Sequence, residues 1–299
     1  MAAIELRDLT KQYGDLVAVD DVSLEIRDGE VFGFLGPNGA GKTTVLRTLL
    51  GMQAPTAGGV SILGYDTTVE SERLDALADT GFLPSDPQFD EQATGRAVLD
   101  LHESLKGGSR RSDLLEQFEP PLDRPIREYS TGNVQKLGIV QAFMHDPDVA
   151  VLDEPTSGLD PLLQDRFNEF VREERARGVT VLFSSHVLSE VRRICDRVGV
   201  LRGGELVAVE DVETLLDRSG KLVRARVDGE LPPDAFDISG ASDITRRSVD
   251  GATRVSFTFT GDVDALVDEL DRYPLQELDV EEAPLEDVFL DFYGGGEDA

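Results

Sequence analysis

Tryptophan is absent from this chain, methionine occurs three times and cysteine once. One thiol cannot form a disulfide within the chain, which suits a reducing compartment. That cysteine, Cys195, shares a helical apolar pattern with Val187, Val191 and Ile194. It reads as a core thiol rather than a nucleophile. No apolar run approaches the ~20 residues that a spanning helix needs. The first residues show no basic stretch followed by an apolar run, so no signal peptide is expected. Work at a membrane would therefore require a partner chain.

Positive charge is scarce too. Lysine stands only at positions 11, 42, 106, 136 and 221, and 29 Lys+Arg face 59 Asp+Glu, a formal charge of −30. Such a balance argues against a surface that grips nucleic acid or anionic lipid, because phosphate binding needs a basic face. Acid excess with little lysine points to a cytoplasm of very high salt, as in a halophilic archaeon. There the Debye length falls to roughly 3 Å at 1 M and self-repulsion is screened. What is present suffices for a core: 40 % of the 299 residues are hydrophobic, a length that suits one large and one small domain.

Short apolar runs bounded by turn residues read as buried parallel strands at Val31–Leu35, Ala150–Leu152 and Val179–Phe183. Helical periods follow them: Val45, Leu46, Leu49 and Leu50 after the first, Phe167, Phe170 and Val171 after the second. This alternation predicts an α/β fold with a mostly parallel sheet. Residues 4–26 alternate instead like antiparallel strands with one wet face. The stretch from Leu74 to Asp146 reads as mostly helical, an insertion between the first and second core strands. Near Arg218 to Gly220 the pattern restarts. Val255, Phe257 and Phe259 alternate as a strand, and Asp262 offers an N-cap for a helical face of Val263, Leu266, Val267 and Leu270. Leu285, Val288, Phe289 and Phe292 space a second such face. The expected domains are 1–220 and a small α+β domain at 221–299.

The chemistry lies at the strand ends. Gly36, Pro37, Asn38, Gly39, Ala40, Gly41, Lys42, Thr43 and Thr44 fit G-x-x-x-x-G-K-[ST] between a strand and a helix. Such a loop turns its N–H groups onto a phosphate chain, and the helix N-terminus adds partial positive charge. Lys42 is expected to reach the β- and γ-phosphates and the Thr43 hydroxyl to ligate Mg²⁺. Asp153 and Glu154 end the second buried run. Asp153 is expected in the metal's shell and Glu154 as the base that polarises water. His186 ends the third run and is placed to contact a γ-phosphate. Tyr13 offers a ring for stacking on adenine.

Together these residues resemble the ATP-binding subunit of ABC transporters, over about residues 4–210. Tyr129-Ser-Thr-Gly-Asn-Val-Gln135 looks like the family's signature loop, and Glu154-Pro-Thr-Ser-Gly-Leu-Asp160 like the catalytic glutamate followed by the D-loop. The resemblance implies a P-loop ATPase domain with a parallel core sheet, antiparallel N-terminal strands and a helical subdomain at about 86–146. It implies ATP and Mg²⁺ as ligands, and a homodimer or heterodimer of such domains set head to tail. Ser130 and Gly132 of one chain would then cover ATP held by the other, and Asp160 would link the two sites. Thr131 replaces a signature glycine and Asn133 the glutamine, which implies a retuned contact. Ser85 stands where the family has a metal-touching glutamine and is too short for the same reach, so water would complete the shell. Ala283 to Leu290 resembles the end of the C-terminal domain in the drug-resistance-type branch of exporters.

The resemblance thus implies an exporter's ATPase subunit at the cytoplasmic face of the membrane, bound to a separate transmembrane permease, with no nucleic acid partner. The alternative is a soluble ATPase of the same type acting on ribosomes or DNA. Such factors carry two cassettes or a long coiled-coil arm, whereas this chain has one cassette and no heptad arm. A regulator that binds nucleotide without turnover is opposed by Lys42, Asp153, Glu154 and His186 standing together.

Overall fold

A computed structural model describes residues 2–214, 220–232 and 235–282. The chain divides into two compact units, Met1–Glu210 and Asp211–Ala299.

The first unit opens on a long hairpin, β1 (Ala2–Tyr13) and β2 (Leu16–Arg27), closed by a turn at Gly14 with φ 59°. Its alternating Ile4, Leu6, Val22, Leu24 and Ile26 are buried. The hairpin joins β4 (Ala57–Ile62) and β5 (Tyr65–Asp66) in a sheet of order β2-β1-β4-β5.

The central sheet has six strands. β3 (Val31–Leu35), β7 (Val149–Asp153) and β8 (Thr180–Ser185) are buried at every residue. Parallel strands with both faces covered need continuous apolar runs rather than alternation. With β6 (Thr80–Leu83), β9 (Arg197–Arg202) and β10 (Glu205–Asp211) they stand in the order β10-β9-β3-β8-β7-β6. The helix α1 (Lys42–Leu49) follows β3 and α2 (Glu70–Ala78) precedes β6.

The strand β6 corrects the expectation that residues 74–146 form a mostly helical insertion between core strands, for it is itself a strand of the central sheet. Thr80-Gly-Phe-Leu83 pairs in parallel with Thr80 opposite Val149 and Leu83 opposite Leu152. Four residues are too few to show a period between helical flanks. Gly81 is needed there, since a Cβ would lie 2.2 Å from the Ala142 carbonyl oxygen. The helices α3 (Gly95–Lys106), α4 (Arg111–Phe118) and α5 (Thr131–Phe143), with a 3₁₀ turn at Ile126–Glu128, lie between β6 and β7. Burial holds His102 on α3 and His145 after α5 neutral, with pKa values lowered to about 4.

After β7 comes α6 (Pro161–Ala176). Its Phe170 lies edge-on to Phe118 at 5.2 Å and to Phe143 at 4.8 Å, tying α4, α5 and α6 together. Phe170→Ala is expected to lower the unfolding free energy by about 3–5 kcal/mol through lost burial and the cavity left behind. Urea denaturation followed by circular dichroism at fixed KCl measures this; a loss below ~1 kcal/mol would show that the cluster does not hold these helices.

The helix α7 (Leu188–Ile194) ends at Cys195. The thiol is buried against β3, where a Cβ on Gly33 would lie 3.0 Å from Sγ. Burial raises its pKa well above the ordinary thiol value, as a core role requires.

In the second unit β11 (Lys221–Asp228), β12 (Ala241–Val249), β13 (Ala252–Phe259) and β14 (Leu275–Glu282) form an antiparallel sheet of order β12-β13-β11-β14. The helix α8 (Val263–Leu270) is capped by Asp262, whose carboxylate accepts from the Asp264 and Ala265 N–H groups at 2.9 and 3.3 Å. Leu266 and Leu270 are buried, but Val263 and Val267 are 59 % and 56 % exposed. Of the expected helical face, only Leu266 and Leu270 thus pack into the core. The face of Leu285, Val288, Phe289 and Phe292, and the segment from Ala283 to Leu290, lie outside the described residues, as do Arg218 and Ser219.

Candidate functional site

Four neighbouring strands of the central sheet deliver the site at their carboxyl ends, where open parallel sheets bind ligands. The loop 36–41 leaves β3, Asp153 ends β7, His186 follows β8, and Ser85 follows β6. The glycines at both ends of the loop are required by close approach. A Cβ on Gly36 would lie 2.4 Å from the Leu201 carbonyl oxygen. Gly41 sits at φ 107°, and its Cβ would lie 2.5 Å from the Ala18 carbonyl oxygen.

From this loop α1 begins with Lys42, which is buried. Its Nζ donates to the carbonyl oxygen of Gly36 and, at 3.4 Å, to that of Pro37. It also lies 3.3 Å from Glu154 Oε1. The Thr43 hydroxyl donates to Asp153 Oδ2 at 3.0 Å, and the Ser184 hydroxyl to Asp153 Oδ1 at 2.6 Å. Asp153 is thereby held in one orientation. Glu154 Oε2 lies 2.8 Å from His186 Nδ1. One chain of contacts therefore runs Lys42, Glu154, His186, and a second runs Thr43, Asp153, Ser184.

Glu154 has φ 48°, a left-handed backbone in a residue other than glycine. Its N–H donates to the Ser184 carbonyl oxygen at 3.1 Å, so β8 holds the strained residue in place. Strain of this kind collects at functional positions, where surrounding structure over-determines it.

Beside these groups lies a cleft of about 560 Å³, within the range of small-molecule sites. Residues 37–44 line it, together with Tyr13, Ser85, Glu154 and His186. Tyr13 is 47 % exposed and its hydroxyl donates to Gln53 Oε1 at 2.5 Å. Gln53 in turn donates to the Thr44 carbonyl oxygen at 3.0 Å, so the ring is tied to α1. Ser130, Gly132 and Asp160 do not line this cleft. Ser130 caps α5, accepting from Asn133 N–H at 3.3 Å, and Asp160 caps α6, accepting from Leu163 N–H at 3.0 Å. A Cβ on Gly158 would lie 2.9 Å from Thr131 Cγ2, so the segment at 130–132 and the loop at 154–160 are neighbours in one chain.

The roles of three groups here escaped the sequence reading. Ser184 orients Asp153. Gln135 donates to the Pro155 carbonyl oxygen at 2.8 Å, joining α5 to the loop after Glu154. Glu190 on α7 accepts from the Thr156 and Ser185 hydroxyls, both at 2.6 Å. Ser184, Gln135 and, through Thr156, Glu190 each reach a partner 20 or more positions away, which no local pattern shows.

Among the described residues no helix is long and apolar enough to cross a membrane. The ABC transporter family model matches residues 19–157. Bacitracin transport ATP-binding protein BcrA of Enterococcus faecalis is 34 % identical over 98 % of this chain and 97 % of its own length. Nod factor export ATP-binding protein I of Neorhizobium galegae is 36 % identical over 98 % of this chain and 85 % of its own. Among solved structures, an ATP binding subunit of an ABC transporter superposes with a TM-score of 0.67 at 30 % identity, covering 72 % of this chain and 92 % of that one. With the phosphate loop, the acidic strand end and a relative matched over its whole length, the chain belongs to the ATP-binding subunits of ABC transporters, an ATPase family homologous to exporter subunits.

Proposed function

We propose that this chain hydrolyses ATP in the cleft at Lys42 and Glu154 to drive export through a separate membrane permease. The observation that carries this is the contact chain Lys42, Glu154, His186 at the end of the central sheet. Lys42 would exchange its loop carbonyls for the β- and γ-phosphates, which leaves Glu154 free to accept a proton from the attacking water. His186 would hold Glu154 Oε2 and face the γ-phosphate. Tyr13 offers its exposed ring to the adenine.

Thr43 Oγ1 and Asp153 Oδ2, hard oxygen donors 3.0 Å apart, suit Mg²⁺. Bound there, the ion would neutralise charge on the β- and γ-phosphates. Ser85 faces the same cleft with too short a side chain to reach far, so water is expected between it and the ion.

Ser130, Gly132 and Asp160 have no place in the cleft of their own chain. A head-to-tail dimer, of two copies or with a similar chain, gives them one: Ser130 and Gly132 cover the partner's ATP, and Asp160 connects the sites. Closing such a dimer from 1:99 to 99:1 takes about 5.5 kcal/mol of differential binding, which two enclosed nucleotides can supply. The dimer would sit peripherally on the cytoplasmic face of the membrane. The charge of −30 suits an interior of high salt, so assays belong in molar KCl.

Gly132→Trp tests the arrangement. A Cβ there meets nothing closer than the Gly158 carbonyl oxygen at 3.4 Å, so the fold should tolerate the side chain. ATP affinity of the monomer is expected to stay within about twofold, about 0.4 kcal/mol, while turnover falls at least a hundredfold and the ATP-dependent dimer is lost on size exclusion. Parent-rate hydrolysis would place the whole site within one chain.

A further inference from the structure

The sheet of the second unit has a face that the ATP cleft does not explain. Successive strand residues point to opposite sides. One side packs Val223, Ala225, Val227, Val255 and Phe257 into the core. On the other side Arg247 of β12 stands opposite Arg254 of β13, and Arg254 stands opposite Arg226 of β11. Glu277 of β14 completes the row beside Arg226. In the adjoining row Thr245 pairs with Ser256, Ser256 with Arg224, and Arg224 with Asp279. The two rows line a groove of about 470 Å³.

Like charges directly opposite on neighbouring strands destabilise a sheet. Three arginines abreast are the more anomalous in a chain with twice as many acids as bases. The acids nearby serve one end of the row only. Arg224 lies 3.5 Å from Asp279 and 3.0 Å from Glu281, and Arg226 reaches Glu277 at 3.9 Å. Among the described residues no carboxylate pairs with Arg247 or Arg254. Arg226 Nε is buried without a hydrogen-bond partner. A buried donor left unpaired is costly until an acceptor arrives, and guanidinium forks match tetrahedral oxyanions in pairs.

We propose that this face binds a small soluble phosphate-bearing anion, held by Arg226, Arg247 and Arg254 with the Ser256 hydroxyl beside them. The groove has the size of a small-ligand site. Its border of Glu277, Asp279 and Glu281 admits a compact anion between the strands but would meet a flat anionic bilayer with like charge.

The test uses the full chain with the ATP cleft saturated by ADP and ionic strength held constant with KCl. Titration calorimetry with inorganic pyrophosphate is expected to show one further site per chain. Arg254→Gln and, separately, Arg247→Gln should each weaken it at least tenfold and leave ATP turnover unchanged. Without pyrophosphate Arg254→Gln should melt no lower than the parent, because it relieves repulsion; pyrophosphate should raise the melting temperature of the parent and not of the variant. Absence of the site, or equal affinity in parent and variants, overturns the proposal, and so does a lower melting temperature for Arg254→Gln. Arg254-dependent sedimentation with phosphatidylglycerol vesicles that pyrophosphate does not compete away overturns it in favour of a lipid headgroup.

Discussion

Glu154→Gln is expected to abolish turnover while ATP still binds, and to accumulate an ATP-bound dimer that elutes ahead of the monomer on size exclusion. The amide keeps the shape of the carboxylate and the left-handed backbone at φ 48°, so the strain at this residue is unchanged. Its oxygen can still accept from His186 Nδ1, now 2.8 Å from Oε2. Lys42 loses the carboxylate at 3.3 Å but retains the Gly36 and Pro37 carbonyls. What the amide cannot do is accept a proton from water. General-base removal costs typically 10²–10⁴-fold in rate, read here as phosphate release in molar KCl with Mg²⁺. Binding of a fluorescent ATP analogue should stay within about twofold, about 0.4 kcal/mol. Turnover near the parent rate would move the base elsewhere in the cleft, with His186 the first alternative.

The parts of this site that could be read from the chain are those whose signal is local. The loop at 36–44 carries its spacing in nine consecutive residues, and the strands β3, β7 and β8 are continuous apolar runs because both their faces are covered. Those runs also placed Asp153 and His186 at one sheet edge. Contacts that depend on register or on distant partners left no local trace. Ser184 stood in view beside His186, yet its hydroxyl serves Asp153, 31 positions away. The strand β6 hid between helices because four residues with a glycine among them show no period. Val263 and Val267 fitted a helical stripe that the sheet turned out to cover only along Leu266 and Leu270. The arginine row is the extreme case, since Arg226, Arg247 and Arg254 become neighbours only through antiparallel pairing.

Lys42→Ala should act at the step before chemistry. ATP affinity is expected to fall at least tenfold, which corresponds to about 1.4 kcal/mol or more, and turnover should disappear at ordinary nucleotide concentrations. Lys42 is the cation at the centre of the loop, and a charge-assisted bond to phosphate contributes about 1.5–3 kcal/mol. Its removal also has a structural side. The lysine side chain is 6 % exposed and its ammonium is bonded to the Gly36 carbonyl, which alanine leaves without that donor. Such an orphaned group costs about 1–3 kcal/mol, so thermal unfolding without nucleotide must accompany the binding measurement. A modest drop in melting temperature with retained secondary structure, together with the affinity loss, identifies the lysine as the phosphate ligand. The pairing with Glu154 gives a further discriminator. If Lys42 served chiefly to hold Glu154 at 3.3 Å, Lys42→Ala would copy Glu154→Gln: ATP would bind, hydrolysis would stop, and the dimer would accumulate. If Lys42 grips the triphosphate, no ATP-dependent dimer forms at all, and the two variants separate on the same column.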